Sequence, residues 1–434
     1  MKSNHKVVIV GGGAGGLELA AKLGRKFGPA HVTLLDRSAY HIWKPSLHEV
    51  AAGTLDIHRE GLSYAMLAKD CGFTFLLGEV TGVDRAARVI DVKAVIDEQG
   101  EELLAERQVA YDSLILAVGS KANFFGTPGA EQFAIALDST AQAEKFRLKF
   151  LRAVMKADGL KATNPEHSLH IAIVGGGATG VELAAELTEA GQDMAYYGVM
   201  HLDPVRDIHI TIIEGAPRIL APLPEKLSIA AHELLAKRGV TLKTGIRVAA
   251  IEADAVKDTT GSSYHADLCV WAAGIEAPQF LAKLGLPVNR MGQLVVDASM
   301  HTEDPNVFAF GDCAQVPDGA TGKFLTARAQ VAHQEASFLV KTMSERIKGQ
   351  PAASRTFTFH DHGSLVSVGQ AAGVGSLMGV LSGRSMFVEG AFARMMYMSL
   401  HLMHHQAFLG TVRTGLLALG RLMLRRGRPR VKLH

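Results

Sequence analysis

The chain has 434 residues, 45 Lys/Arg against 43 Asp/Glu and 48% apolar residues, enough for two or three domains with cores of their own. Its three cysteines, Cys71, Cys269 and Cys313, lie too far apart for a disulfide framework or a zinc cluster, and a reducing compartment suits them. The N-terminus runs into an apolar strand pattern with no h-region, and no run of about 18 uncharged apolar residues occurs, so neither a secretory signal nor a spanning helix is expected.

The first predicted strand ends at Val10 and is followed by Gly11-Gly12-Gly13-Ala14-Gly15-Gly16 and an Ala/Leu-rich helix. This is the strand–turn–helix setting of a dinucleotide fingerprint. Its glycines allow the tight turn, the approach of a pyrophosphate to bare backbone and close packing of helix on strand. The helix N-terminus adds unpaired N–H groups for the phosphates. Asp36 closes the next strand 20 residues after Gly16, where a ribose-binding acid belongs. A hairpin-like pattern follows at 73–77 and 89–95, then a buried strand running from Tyr111 to Gly119, and a helix from Ser139 to Lys156.

The fingerprint then recurs almost letter for letter as Gly175-Gly176-Gly177-Ala178-Thr179-Gly180, behind another β-branched strand. Its acid is Glu214, 34 residues after Gly180; the excess is a helix extension or excursion between Gly191 and Asp207. A carboxylate there disfavours a 2′-phosphate and selects NADH over NADPH, with Arg218 read as a solvated surface arginine. The strand at 268–274 is the counterpart of 114–119. Strands at 294–297 and 307–314 and a helix from Thr326 to Lys348 complete the first sheet, so the second nucleotide domain is inserted in the first. A different region begins near Arg355.

From Ala391 onward there are eight Lys/Arg and no Asp or Glu, leaving 37 basic against 43 acidic residues in the rest of the chain. If one helix runs from Gln406 to about Arg426, then Phe408, Leu409, Val412, Leu416, Leu419, Leu422 and Met423 share an arc of about 140°. Arg413, Arg421 and Arg425 lie opposite, which describes a helix lying in a membrane interface. The alternative is a core-packing helix with a solvated basic face. Nucleic acid is disfavoured, since aromatic residues for base stacking are nearly absent.

With these residues in place the chain resembles the bacterial type II NADH dehydrogenases, single-subunit, non-pumping NADH:quinone oxidoreductases, over essentially its whole length. The resemblance is carried by the stretch from His41 to Ala51, by the second fingerprint, by Val270-Trp271-Ala272-Ala273-Gly274-Ile275, by Gly311-Asp312 and by Ala329-Gln330-Val331-Ala332-His333-Gln334. It implies an α/β fold with two Rossmann-like dinucleotide-binding domains, the NAD domain inserted in the FAD domain, plus a C-terminal membrane-associating region. The expected boundaries are 1–123 and 276–350 for the FAD domain, 124–275 for the NADH domain and 351–434 for the C-terminal domain.

Together, motif and resemblance assign FAD to Gly11, Gly12, Gly13, Ala14, Gly15, Gly16, Asp36, Arg37, Lys44, Val80, Ala117, Gly119, Gly311 and Asp312. NADH is assigned to Gly175, Gly176, Gly177, Ala178, Thr179, Gly180, Glu182, Glu214, Ala273 and Gly274. Gln330 and Gln334, four apart and on one helical face, are assigned to the quinone. The expected chemistry is hydride transfer from NADH to the flavin and delivery of two electrons to a membrane quinone. Glu182 is either the catalytic proton relay near nicotinamide and flavin or a first-turn acid complementing the helix dipole. Lys44 either stabilises reduced flavin or sits on the surface. Cys313 is expected to be a buried small residue, and His360, His362, His404 and His405 to be loop or interfacial residues with no metal.

A disulfide reductase would need a cysteine pair after the first fingerprint, and a sulfide:quinone oxidoreductase would need cysteines from both halves. A redox-sensing interaction partner would leave the glutamine stretch unexplained. The expected setting is peripheral, on the cytoplasmic face of the inner membrane; a homodimer is left open.

Overall fold

The computed structural model describes residues 4–198, 201–351, 353–369, 373–378, 385–424 and 431–432. Two five-stranded parallel sheets organise it. In the first, the order is Val307–Ala309, Ser113–Leu116, Val7–Val10, Val32–Asp36, Thr74–Leu77. The second repeats it: Ala134–Ala136, Leu268–Trp271, Leu169–Val174, Ile208–Glu214, Thr241–Thr244. In both, the order reverses beside the fingerprint strand, which opens a crevice at the carboxyl ends where ligands of such sheets bind. The strands read as unbroken apolar runs because both faces are covered, and Val7 to Val10 are all buried.

The chain leaves the first sheet through Lys121–Ala122 and returns through Ile275–Glu276, and these two segments pair antiparallel. The second sheet is thus an insertion carried on two adjacent crossings. The hairpin-like reading of 73–77 with 89–95 is corrected. Thr74–Leu77 joins the first parallel sheet, whereas Val89–Val92 pairs antiparallel with Val80–Asp84 and Arg107–Ala110. Alternating apolar residues in both segments do not reveal which partner each one takes.

Helices follow the caps. Ser139 accepts from Gln142 N–H and starts the helix Thr140–Lys161, a cap that contributes on the order of 1 kcal/mol. The second fingerprint helix, Ala178–Tyr196, runs long and is followed by the short helix Pro204–Asp207, which accounts for the wide spacing to Glu214. The glutamine-bearing helix is Ala329–Ile347 and packs along the first fingerprint helix, Ala14–Phe27.

The C-terminal region contributes an antiparallel sheet of Gly363–Ser367, Gly373–Met378 and Ser385–Glu389, then two helices, Gly390–Leu409 and Thr411–Leu424. The single helix expected from Gln406 is corrected: Gly410, at φ +80°, takes a left-handed conformation that breaks it. Phe408 is buried, so it leaves the exposed apolar arc, while Val412, Leu416, Leu419 and Met423 remain exposed. Arg425 lies outside the described residues. The basic tail is also partly neutralised by the body: Arg413 pairs with Asp70, and Lys432 with Asp56 at 3.1 Å.

Candidate active site

The two fingerprint loops are built alike. Gly11 has φ +102° and Gly175 φ +109°; a Cβ at either would lie 2.4–2.7 Å from the backbone of Ala117 or of Ala272–Ala273. Such a contact brings Ala117 and Val118 beside the first loop and Ala272 and Ala273 beside the second, while a Cβ on Gly274 would meet the Phe125 ring. A Cβ on Gly16 or Gly180 would meet the carbonyl oxygen of Gly11 or Gly175 at about 2 Å, so the helix can approach the turn only through glycine. Gly13, Gly119 and Gly177 face open space.

The acids act alike as well. Gly12 N–H donates to Asp36 Oδ2 at 2.6 Å, and Gly176 N–H donates to Glu214 Oε2 at 2.5 Å. The other carboxylate oxygen takes Ser38 N–H in the first copy and Ala216 N–H in the second. Each acid therefore ties its own loop to the turn that follows its strand. The corrected residue here is Arg218, whose guanidinium donates to the carbonyls of Leu220, Ala221 and Leu223, closing its own turn. Occupied in this way, it is not a solvated surface arginine.

At the far edge of the first loop, Lys44 Nζ donates to Ser120 O at 2.7 Å and Ser120 Oγ donates to Asp312 Oδ2 at 2.8 Å. Gly311 N–H donates to Glu335 Oε2 at 2.8 Å. Burial raises the Glu335 carboxyl to about 7, with Gly311 N–H opposing it. Glu335 directly follows Gln334, and only its place on the inward face of the helix marked it in sequence. Gln330 Oε1, Arg328 Nε and Trp43 Nε1 are buried without hydrogen-bond partners among the described residues. Gln334 is placed otherwise than expected: its amide donates to His360 O at 2.8 Å and accepts from His360 N–H at 3.0 Å. An open cleft lies between the turn after Asp36 and the hinge strands, lined in part by Arg37, Ser38, Lys121 and Gln142. Val80 is buried at the start of its strand.

Glu182 is buried on the second fingerprint helix, accepting from Ser367 N–H at 3.1 Å. His48 Nδ1 stands 3.4 Å from its other oxygen. Burial lifts the Glu182 carboxyl to about 8 and lowers His48 to about 4, so at neutral pH both are uncharged. Glu182 is the fifth residue of its helix, past a first turn that holds no acid, so its reading as a first-turn acid is corrected. Cys313 is buried, as expected, its thiol pushed up to about 12 by burial. No metal-binding group of three or more His, Cys, Asp or Glu occurs among the described residues. His404 and His405 are buried on the inner side of the helix Gly390–Leu409, which corrects their reading as loop or interfacial residues.

Residues 5–336 match the family described as pyridine nucleotide-disulphide oxidoreductase. The type II NADH:quinone oxidoreductase of Haemophilus influenzae is 38% identical over 99% of each chain. The chain belongs to the type II NADH:quinone oxidoreductase family. A further member, Ndh of Mycobacterium tuberculosis, is 30% identical over 94% of this chain and 86% of its own. Among solved structures, NDH2 from Plasmodium falciparum in complex with NADH superposes with a TM-score of 0.79 at 22% identity, covering 99% of this chain and all of that one. The sulfide:quinone oxidoreductase of Aquifex aeolicus shares the fold at a TM-score of 0.70 and 18% identity. Cys71, Cys269 and Cys313 are all free and buried.

Proposed function

We propose that the chain is an FAD-dependent NADH:quinone oxidoreductase that passes electrons from NADH to a membrane quinone without pumping protons. The observation that carries this is the pair of fingerprint loops, each closed by its own acid, with the glutamine helix laid against the Gly311–Asp312 turn. The open space at Gly13 and Gly119 and the buried unpartnered Gln330 Oε1 fit an FAD there. FAD bound at Asp36 and Asp312 would supply the two-electron relay between a hydride donor and a quinone. The boundaries 1–123, 124–275, 276–350 and 351–434 follow from that reading.

Around the relay, Gly175 to Gly180 cradle the NADH pyrophosphate and Glu214 holds its ribose, while Lys44 fixes the Ser120–Asp312 edge. Glu182 holds a proton on a buried carboxyl facing His48 Nδ1, positioned to give or take it as charge develops nearby. Gln330 is the quinone-side amide with a free acceptor; Gln334 supports it from the His360 backbone.

The membrane is approached through the exposed Met395, Met398, Met403, Val412, Leu416, Leu419 and Met423. None of the described helices is long and apolar enough to cross a bilayer. The exposed apolar face carries the proposal of a peripheral position, on the cytoplasmic face of the inner membrane. The test is to bleach the flavin with NADH and then follow reoxidation by quinone, once in solution and once in anionic vesicles. Rapid reoxidation in both is expected; bleaching without quinone-dependent recovery overturns the function. Combining Leu416→Glu with Leu419→Glu should slow only the vesicle reaction, and an unchanged vesicle rate overturns the docking face.

A further inference from the structure

The helix Gly390–Leu409 turns polar as well as apolar groups inward. Phe392, Met395, Met398 and Met403 are exposed, whereas Tyr397, His404 and His405 are buried against the body. A helix that turns its imidazoles inward buries groups that are costly to charge.

The contacts fix the tautomers. His41 Nδ1 lies 3.0 Å from Gly12 O, in the first fingerprint loop. A carbonyl oxygen only accepts, so the proton of neutral His41 is on Nδ1 and its Nε2 is an acceptor. His404 Nε2 stands 2.7 Å from that atom and must be the donor. The remaining ring nitrogen, His404 Nδ1, then carries a bare lone pair, and it is buried with no hydrogen-bond partner among the described residues. It is a base shut away from water.

We propose that the His404–His41 pair is a proton-sensitive latch, with His404 a positioning residue that holds the helix Gly390–Leu409 on the first fingerprint loop only while both imidazoles are uncharged. The surroundings oppose a charge. His404 faces His41, His333 at a ring separation of 5.2 Å, His405 and, across Trp43, His401. Tyr64 shares Gly12 O as acceptor. Glu18, the carboxylate paired with His333, is also held by Lys22. Arg25 and Cys71 hold the carbonyl of Phe408 and add no anion beside His404, and the Arg413–Asp70 pair sits on the next helix. Burial and the neighbouring imidazoles lower His404 well below its ordinary value, and burial lowers His41 to about 4.

The sign follows. Released into water, both rings take protons near pH 6.5, whereas docked they refuse them; acid therefore favours the undocked helix. Undocking uncovers Trp43, which stacks on His401 and His404 and adjoins Lys44 at the Ser120–Asp312 edge. The consequence for turnover rests on the enzymatic reading above.

The test uses the full-length, flavin-loaded protein. Hydrogen exchange of 390–409, corrected for its intrinsic pH dependence, is followed from pH 7.5 to 5 beside NADH oxidation with a soluble quinone. Exchange should rise about tenfold or more and turnover should fall together below about pH 6.5. His404→Gln keeps an N–H for His41 and takes no proton, so both midpoints should move down by about half a pH unit or more. Unchanged midpoints overturn the latch. If that variant does not fold, His41→Gln, whose amide can donate to Gly12 O and accept from His404, tests the pair from the other side. Turnover that falls while exchange stays level removes the latch and leaves the enzyme; an exchange shift without quinone activity at any pH removes the enzymatic reading and leaves the latch.

Discussion

The two fingerprint loops share a backbone and differ in what surrounds them. In the first, Gly12 is walled by Tyr64 and Gly15 by Phe310 and the carbonyl of Ala332, so the glutamine helix and the body close over the loop. In the second, Ala178 and Thr179 are exposed where Ala14 is half-buried and Gly15 buried. On the proposed reading one motif serves two lifetimes. A loop built into the packing of three elements suits a cofactor that stays; a loop open along one side suits a dinucleotide that must leave after each turnover. Exchange rate is set by the elements around the motif, which the motif does not encode.

That contrast is most directly broken by exchanging the residues that differ. Gly15→Thr puts the second copy's residue into the first loop. Its Cβ would lie 2.4 Å from the Phe310 ring and 2.8 Å from Ala332 O, so backbone must move, at a cost of about 2–3 kcal/mol or more. Purified protein should show a lower flavin-to-protein absorbance ratio and a lower Tm, whereas Thr179→Gly should change neither by much. Full flavin content in the first variant would remove packing as the cause of retention. Next in size are the acids. Glu214→Ala leaves Gly176 N–H unpaired and should raise the KM for NADH about tenfold or more, while relaxing the rejection of NADPH. Asp36→Ala should instead appear as lost flavin. An unchanged preference between NADH and NADPH would show that Glu214 does not face the ribose.

A smaller effect separates the two copies by pH. Glu182 is buried on the second fingerprint helix with its carboxyl raised from 4.5 to about 8. A group that binds its proton more tightly when folded stabilises the fold fully below its unfolded value and loses that contribution as pH rises through the folded one. Tm should therefore decline between about pH 5 and 8, and Glu182→Gln should flatten the decline. Equal slopes would mean that the carboxyl is already ionised.

Much of this was legible because the decisive signals are local. Gly11 to Gly16, Gly175 to Gly180 and Asp36 stand out through spacing and backbone need, and Glu214 through its place at the end of the next strand. What escaped depends on partners distant in sequence. Thr74–Leu77 and Val89–Val92 look alike, yet one joins a parallel sheet and the other a meander. His404 meets His41 363 residues away, so nothing local distinguishes a buried imidazole pair from a loop histidine. Gln334 shares a helical face with Gln330, and the backbone 26 residues on that holds its amide is equally invisible in sequence. Gly410 is the reverse case: a local signal ends the helix in the middle of an apolar arc that continues through it.

The finest test of the contrast uses a position where both loops leave the same vacancy. Gly13 and Gly177 precede their helices in extended conformations, φ −63° and −73°, which alanine adopts without strain. Nothing lies within 4 Å of a Cβ built at either. In Gly177→Ala the entropic gain from losing a glycine and the cost of a poorer N-cap should cancel to within about 0.5 kcal/mol, so Tm and flavin content should hold. The new methyl would nonetheless stand where a pyrophosphate must approach bare backbone, and the KM for NADH should rise several-fold. Gly13→Ala makes the same vacancy smaller in the other loop and should leave the KM for NADH alone while lowering flavin content. If both variants changed only NADH kinetics, the first loop would not hold the resident cofactor. If neither changed anything, the space above these glycines would not be where the phosphates lie, and the division of labour between the two copies would rest on Asp36 and Glu214 alone.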